Sequence, residues 1–236
     1  RGPQETGEDM RNRRTIVVLC VTCAALIAAA VILPGCGKKD ETTVDPTEGR
    51  PESVTAYEAV QFTKPAADKW QSSNWMIQVR DGDPDGIGRD GKAKIWEVYY
   101  FSPTPEEDSQ MFVIYNRGNV WPNAPGMSKG GETGQAVYRK EKPTQDFRVD
   151  SPEAYTVAFR NGGGDYMDAH SDARANAVLR CKADYDAVGE KMPAPKYKWI
   201  WDVSFRVPTP GAEVLHVMVD AMNGDFITKQ LATPPS

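Results

Sequence analysis

The sequence predicts an α+β chain of two tandem repeats, each a helix packed on a curled antiparallel β-sheet, behind an apolar leader. Three observations predict it. The decapeptide from Trp96 to Pro105 (WEVYYFSPTP) aligns without gaps on the one from Trp201 to Pro210 (WDVSFRVPTP), with seven of ten positions identical or chemically close. Upstream and in the same order, Ser53-Val54-Thr55-Ala56-Tyr57 aligns on Ser151-Pro152-Glu153-Ala154-Tyr155. Apolar residues then alternate along several short segments, the period of a half-buried strand.

Composition narrows the function classes. The chain has 236 residues, with 28 Lys plus Arg against 33 Asp plus Glu and a net charge of -5, so it lacks the basic footprint of a nucleic-acid binder. Four cysteines are too few for a disulfide scaffold, and two histidines limit metal and acid–base chemistry.

The leader, residues 1–35, comes first. Arg1 to Asp9 have no signal character and precede Met10. Then follow basic Arg11, Arg13 and Arg14, an apolar run from Thr15 to Leu33, and Leu33-Pro34-Gly35-Cys36. Basic, apolar and small-residue zones in that order are those of a secretory signal. Leu-x-Gly-Cys resembles the lipobox of bacterial lipoproteins, and the resemblance implies that Cys36 is the lipidated first residue of the mature chain. The apolar run, 19 residues long, also reads as an uncleaved membrane anchor. Both readings put everything after residue 36 outside the cytoplasm. Cys20 and Cys23 have Cys-x-x-Cys spacing but lie within the apolar run, where they read as small apolar residues. Residues 36–51, polar with Pro and Gly, read as the lipidated cysteine and a flexible tether.

The first repeat is expected over 52–121 and the second over 150–236, with 122–149 as linker. Ser53 and Ser151 are the N-cap candidates, and Pro152 suits a first helical position. Ala56, Val60 and Trp70 mark one helical face and Ala154, Val157 and Ala158 the other, with Pro65 expected to kink or end the first helix. Asp172 to Val188, carrying Ala175, Leu179 and Tyr185, is expected to form a further helix entered from Gly162-Gly163-Gly164. Strands are expected over Trp75–Arg80, Lys94–Phe101, Met111–Asn116, Trp199–Arg206, Val214–Ala221 and Phe226–Lys229. Pairing Trp201 with Val219, Val203 with Val217 and Phe205 with Leu215 puts every large apolar side chain on one face. A one-residue slip would bury His216. Trp199 shares the parity of Trp201, whereas Trp75 and Trp121 flank strands, where exposure on a binding surface competes with core or sheet-edge packing, the more frequent of the two.

The second half, with Ser151-Pro152-Glu153-Ala154, Trp201-Asp202-Val203 and the run from Val217 to Asp225 (VMVDAMNGD), resembles PepSY-type domains. There Asp220 and Gly224 would make the last hairpin turn. The first half is similar to a degenerate copy. The resemblance implies non-catalytic work near the cell envelope, including inhibition or modulation of secreted peptidases, and says more about fold than function.

Chemistry-bearing residues are few. Asp81, Asp83, Asp85 and Asp90 have the alternation of a calcium loop, in which carboxylates converge on a hard cation, but Lys92 stands where a bidentate Glu is needed. An acidic hairpin loop is the competing reading, and no other cofactor is implied. Ser128 in Gly126-Met127-Ser128-Lys129-Gly130 matches a nucleophile-elbow pattern without its strand and helix. Ser204 faces His216 with Asp202 on the same face, a partner-binding surface or a hydrolytic triad lacking an obvious oxyanion hole. His170, between Asp168 and Asp172, is expected to be exposed. The expectation is therefore a non-catalytic, membrane-anchored binding module facing the periplasm or exterior, whose partner is a secreted peptidase or envelope protein and not nucleic acid. The competing readings are a structural subunit of an envelope assembly and an extracytoplasmic hydrolase.

Overall fold

The computed structural model describes residues 49–103, 108–122, 137–138, 142–143, 147–187 and 198–233. The leader with Cys20 and Cys23, the lipidation candidate Cys36, Ser128 and most of the expected linker lie outside the described residues.

Helix α1 (Ala56–Trp70) opens on Thr55, whose hydroxyl accepts from the Glu58 amide while the Glu58 carboxylate accepts from the Thr55 amide. This capping box, not Ser53, satisfies two of the free donors of the first turn. Pro65 lies inside the helix, which continues to Trp70 instead of ending there. Ala56, Ala59, Thr63 and Ala67 form its buried stripe. Four strands follow as a meander: β1 (Trp75–Asp81), β2 (Ile95–Pro103), β3 (Asp108–Asn116) and β4 (Asn119–Pro122). Arg117 and Gly118, both at positive φ, make the tight β3–β4 turn.

The second half begins with α2 (Ser151–Ala158), which opens into a wide turn over Phe159–Gly163 and resumes as α3 (Gly164–Ala169). A Cβ on Gly163 would lie 2.2 Å from the Phe205 ring, so the wide turn lets helix backbone approach the sheet where only glycine fits. Strands β5 (Arg174–Cys181), β6 (Trp199–Arg206), β7 (Val214–Asp220) and β8 (Phe226–Ala232) complete the chain, with a short α4 (Lys182–Ala187) after β5.

The expected helix over Asp172 to Val188 is thereby corrected: most of it is β5. Ala175 and Leu179 have helical spacing, but Ala175, Ala177, Leu179 and Cys181 are all buried with half-exposed residues between them, which is the period of a strand.

The eight strands among the described residues form one antiparallel sheet in the order β4-β3-β2-β1-β5-β6-β7-β8. The two four-strand meanders join at the β1–β5 seam, where Gln78, Val79 and Arg80 pair with Arg180, Leu179 and Val178. The expected β6–β7 register is the observed one, including Ser204 opposite His216. In β1, Ile77 bulges, and Trp75 is 5% exposed against Phe101 with the Lys142 ammonium over its ring, so of its two readings the packed one is observed. Trp121, by contrast, is 59% exposed.

The helices cover one face of the sheet. Trp96, Val98, Tyr115, Val79, Leu179, Trp199, Trp201, Val203, Phe205 and Val217 form that core. The Trp96 indole N–H donates to the Val54 carbonyl at 2.9 Å and the Trp201 indole to the Val149 carbonyl at 2.8 Å, in each case to the residue before the N-cap. The N-cap of α2 is Asp150 and not Ser151. Its carboxylate accepts from the Ser151 amide at 2.7 Å and also from the Tyr57 amide of α1 at 2.9 Å, while the Ser151 hydroxyl accepts from the Ala56 amide at 3.0 Å. One carboxylate therefore caps the start of both helices, where both macrodipoles favour negative charge.

Candidate functional site

The second face of the sheet carries the polar side chains. At one end Tyr138 and α4 cover it, with Asp184 as the buried anchor. Arg180 Nε donates to Asp184 at 2.6 Å, the Tyr138 hydroxyl donates to it at 2.8 Å, and Arg180 lies 3.9 Å from the Tyr185 ring centroid. Burial first and the Asp184 charge second push the Tyr138 hydroxyl far up, so it stays a donor. Cys181 beside them is a free, buried thiol pushed up to about 12 by burial, so it is not a reactive cysteine.

Elsewhere, among the described residues, no helix covers this face. One register row crosses all eight strands as Trp121, Ile114, Glu97, Arg80, Val178, Asp202, Met218 and Thr228. On the first-half side it is closed on itself. Arg80 Nε donates to Glu97 at 2.6 Å, the Tyr99 hydroxyl donates to Glu97 at 2.8 Å, the Arg80 guanidinium lies over the Tyr99 ring, and Tyr99 stacks on Phe112.

On the second-half side lie Asp202, Ser204 and His216, each half-buried. His216 Nδ1 is 3.1 Å from both Asp202 carboxylate oxygens. An ionised carboxylate only accepts, so the Nδ1–H donates and Nε2 is left for other partners. The bond to Asp202 raises the imidazole pKa, with burial opposing it. Ser204 is the cross-strand neighbour of His216, and the histidine nitrogen nearest an acid is bonded to Asp202. Asn176 sits opposite Ser204 on β5.

Asp81 ends β1 beside this group. Its carboxylate accepts from the Ala177 amide at 2.7 Å and from the Asn176 side-chain amide at 3.0 Å, tying the halves together. Burial nevertheless pushes its pKa up to about 6. A cavity of about 490 Å³ is lined by Asp81, Asn176, Ser204, Arg206 and His216. A second, of about 450 Å³, lies along Pro84, Arg174, Arg206 and the 207–212 loop, and the two share Arg206 and Val214.

The four acidic residues of the 81–90 loop do not converge on one point. Asp83 accepts from the amides of Asp85 and Lys94, Asp85 pairs with Arg174 at 3.3 Å, and Asp90 accepts from the Lys92 amide. Among the described residues no group of three or more His, Cys, Asp or Glu side chains is placed to hold a metal ion. The loop clasps the second half instead: Ile87 bridges to Ala175, and Gly86, at positive φ, sits where a Cβ would lie 2.1 Å from the Ala175 carbonyl. His170 is exposed, with its ring tilted against that of Tyr166 at 4.7 Å between centroids. Asp220 and Gly224 form the β7–β8 turn, the Gly224 amide donating to the Asp220 carbonyl.

Arg174 and Asn176 were hidden from sequence reasoning by the helical reading of 172–188. The alternation of Ala175, Ala177, Leu179 and Cys181 was the signal that reveals them.

No protein-family model matches the chain, and no curated protein matches its sequence. Among solved structures, a crystal structure described as a "putative lipoprotein" from Clostridium difficile 630 is similar over 79% of this chain and 97% of its own, with a TM-score of 0.41 and 10% sequence identity. No helix among the described residues is long and apolar enough to cross a membrane.

Proposed function

We propose that the chain is an extracytoplasmic, non-catalytic binding module, anchored through a lipid on Cys36 and built from two tandem PepSY-like units. It takes a protein or peptide partner, such as a secreted peptidase, on the second face of its sheet around Asp202, Ser204 and His216. One observation carries the reading: a broad sheet face whose polar side chains are half-exposed and, among the described residues, covered by no helix. An antiparallel sheet with one face on a core and one face open is common. Two adjoining cavities at one end of this one give it the relief of a recognition surface. The matching Trp96 and Trp201 hydrogen bonds, each ahead of a helix and a four-strand meander, support the repeat. The Leu-Pro-Gly-Cys tetrapeptide supports the anchor.

Capture of exported proteins by the wild-type chain and by an Asp202→Asn/Ser204→Ala/His216→Gln variant tests the site. A stoichiometric protein held by the first and lost from the second is the expected result; equal capture by both overturns it. Lipid labelling of the wild type and of Cys36→Ala tests the anchor, with label expected only on the former.

A second reading rests on β8, the long edge strand, which exposes Phe226 and Leu231. Such an edge pairs readily with another strand, and the chain would then be a subunit of an envelope assembly. Concentration-dependent light scattering that disappears on Thr228→Pro would favour it.

A further inference from the structure

The two adjoining cavities form one trough at the end of the second face, and its charges are arranged unusually. Arg174 of β5 and Arg206 of β6 are direct cross-strand partners. Like charges placed opposite each other destabilise a sheet pair, so the arrangement needs a compensating group. Arg174 has one: its guanidinium donates to the Pro84 carbonyl at 2.6 Å and pairs with Asp85. Arg206 is exposed, and among the described residues no ion pair or hydrogen bond engages its guanidinium. Its charge acts on Asp81, but the hydrogen bonds of that carboxylate go to the Ala177 and Asn176 amides, and Asp202 on the same strand takes His216.

We propose that this trough holds a carboxylate of an acidic peptide, with Arg206 as its principal cation and the Ser204 hydroxyl and His216 Nε2 as neighbouring donors. The proposal rests on the binding reading above and names the chemistry of the partner. An Arg–carboxylate pair is a charge-assisted, bidentate contact, which a guanidinium free in a concave wall is suited to make.

The same trough makes the contact pH-dependent. The titratable and charged groups lining it are Asp81 from β1, Arg174 from β5, Arg206 from β6 and His216 from β7; behind them stand Asp83 beside Asp81, Asp85 paired with Arg174, Asp202 bonded to His216, and Glu213 between the lining residues Ala212 and Val214. Asp81 is pushed up to about 6 and His216 is raised, so in mildly acidic solution Asp81 is neutral and His216 charged, leaving Arg206 uncompensated. As pH rises, Asp81 becomes an anion beside Arg206 and His216 loses its charge, and both changes oppose an incoming carboxylate.

Calorimetric titration of the full chain with an end-blocked hexapeptide of alternating Glu and Gly, and with its Lys counterpart, at pH 5.5 and 7.5 and low salt, tests this. The Glu peptide is expected to bind and the Lys peptide not, with affinity falling several-fold from pH 5.5 to 7.5. Arg206→Gln is expected to weaken the Glu peptide about tenfold, a loss of roughly 1.4 kcal/mol, whereas Arg160→Gln, exposed on the helix side, leaves it unchanged. Unchanged thermal melting of Arg206→Gln shows that the loss is not unfolding. Equal binding of both peptides, or of acetate at equal carboxylate concentration, overturns the acidic-peptide assignment while leaving a binding surface. Binding of neither peptide overturns the assignment, and failure of the capture experiment as well removes the binding reading.

Discussion

Trp96 and Trp201 do the same thing in the two halves of the sheet. Each is fully buried, and each ties its strand to the carbonyl that precedes a helix. Across the sheet from them the halves diverge. The first half closes its outer face with the Arg80–Glu97 pair and the Tyr99–Phe112 stack, while the second leaves Asp202, Ser204, His216 and Arg206 around an open trough. The packed faces thus serve stability in both halves, while the polar groups left around a trough lie on the outer face of the second half.

The largest test breaks or keeps the equivalence of the two tryptophans. Trp96→Ala and Trp201→Ala should each cost about 3–5 kcal/mol of unfolding free energy, since each removes a fully buried indole and strands a carbonyl. Urea denaturation reads both, and a cost twofold smaller in one half would break the parallel.

Next in size is the shared cap. Asp150→Ala should cost about 2 kcal/mol and Thr55→Ala about 1, because Asp150 serves the first turns of both helices and Thr55 serves one. Equal costs would mean that the bond from the Tyr57 amide to Asp150 contributes nothing.

The outer faces differ in their response to pH. Asp81 has a raised folded-state pKa, so the folded chain keeps this proton where the unfolded chain has lost it. Stability therefore falls as pH rises from about 4 to about 6, by an amount on the order of 3 kcal/mol. His216, also raised, adds stability that is fully present below about 6.5 and is lost as pH rises through its folded value. Denaturation midpoints measured from pH 4 to 8 should flatten in their lower part in Asp81→Asn and in their upper part in His216→Gln.

The smallest effect belongs to Trp121, the exposed end of the cross-sheet row. Trp121→Ala should change thermal stability by less than about 0.5 kcal/mol.

The parts of this architecture that were legible in the sequence are those fixed by local period. The β6–β7 register followed from the alternation of Trp201, Val203 and Phe205, and with it came the juxtaposition of Ser204 and His216. Strand β5 was not legible. Its partner β1 lies about a hundred residues away, and Ala175 and Leu179 fit a helix as well as a strand until that partner is known. The helix starts were misplaced for a related reason. Matching Ser53 to Ser151 sets the halves three residues out of step with the carbonyls of Val54 and Val149 that the tryptophans actually use. The acidic loop looked like a cation site because its carboxylates alternate; what the sequence did not disclose is that each meets a local donor or Arg174.

The most direct measurement places a photo-cross-linking residue at position 204, on the open face, and in a second chain at position 156, exposed on helix α2. Irradiated in the cell envelope, the chain labelled at 204 should form one discrete adduct with a partner and the chain labelled at 156 none. An adduct from 156 alone, or from neither position, would contradict the account.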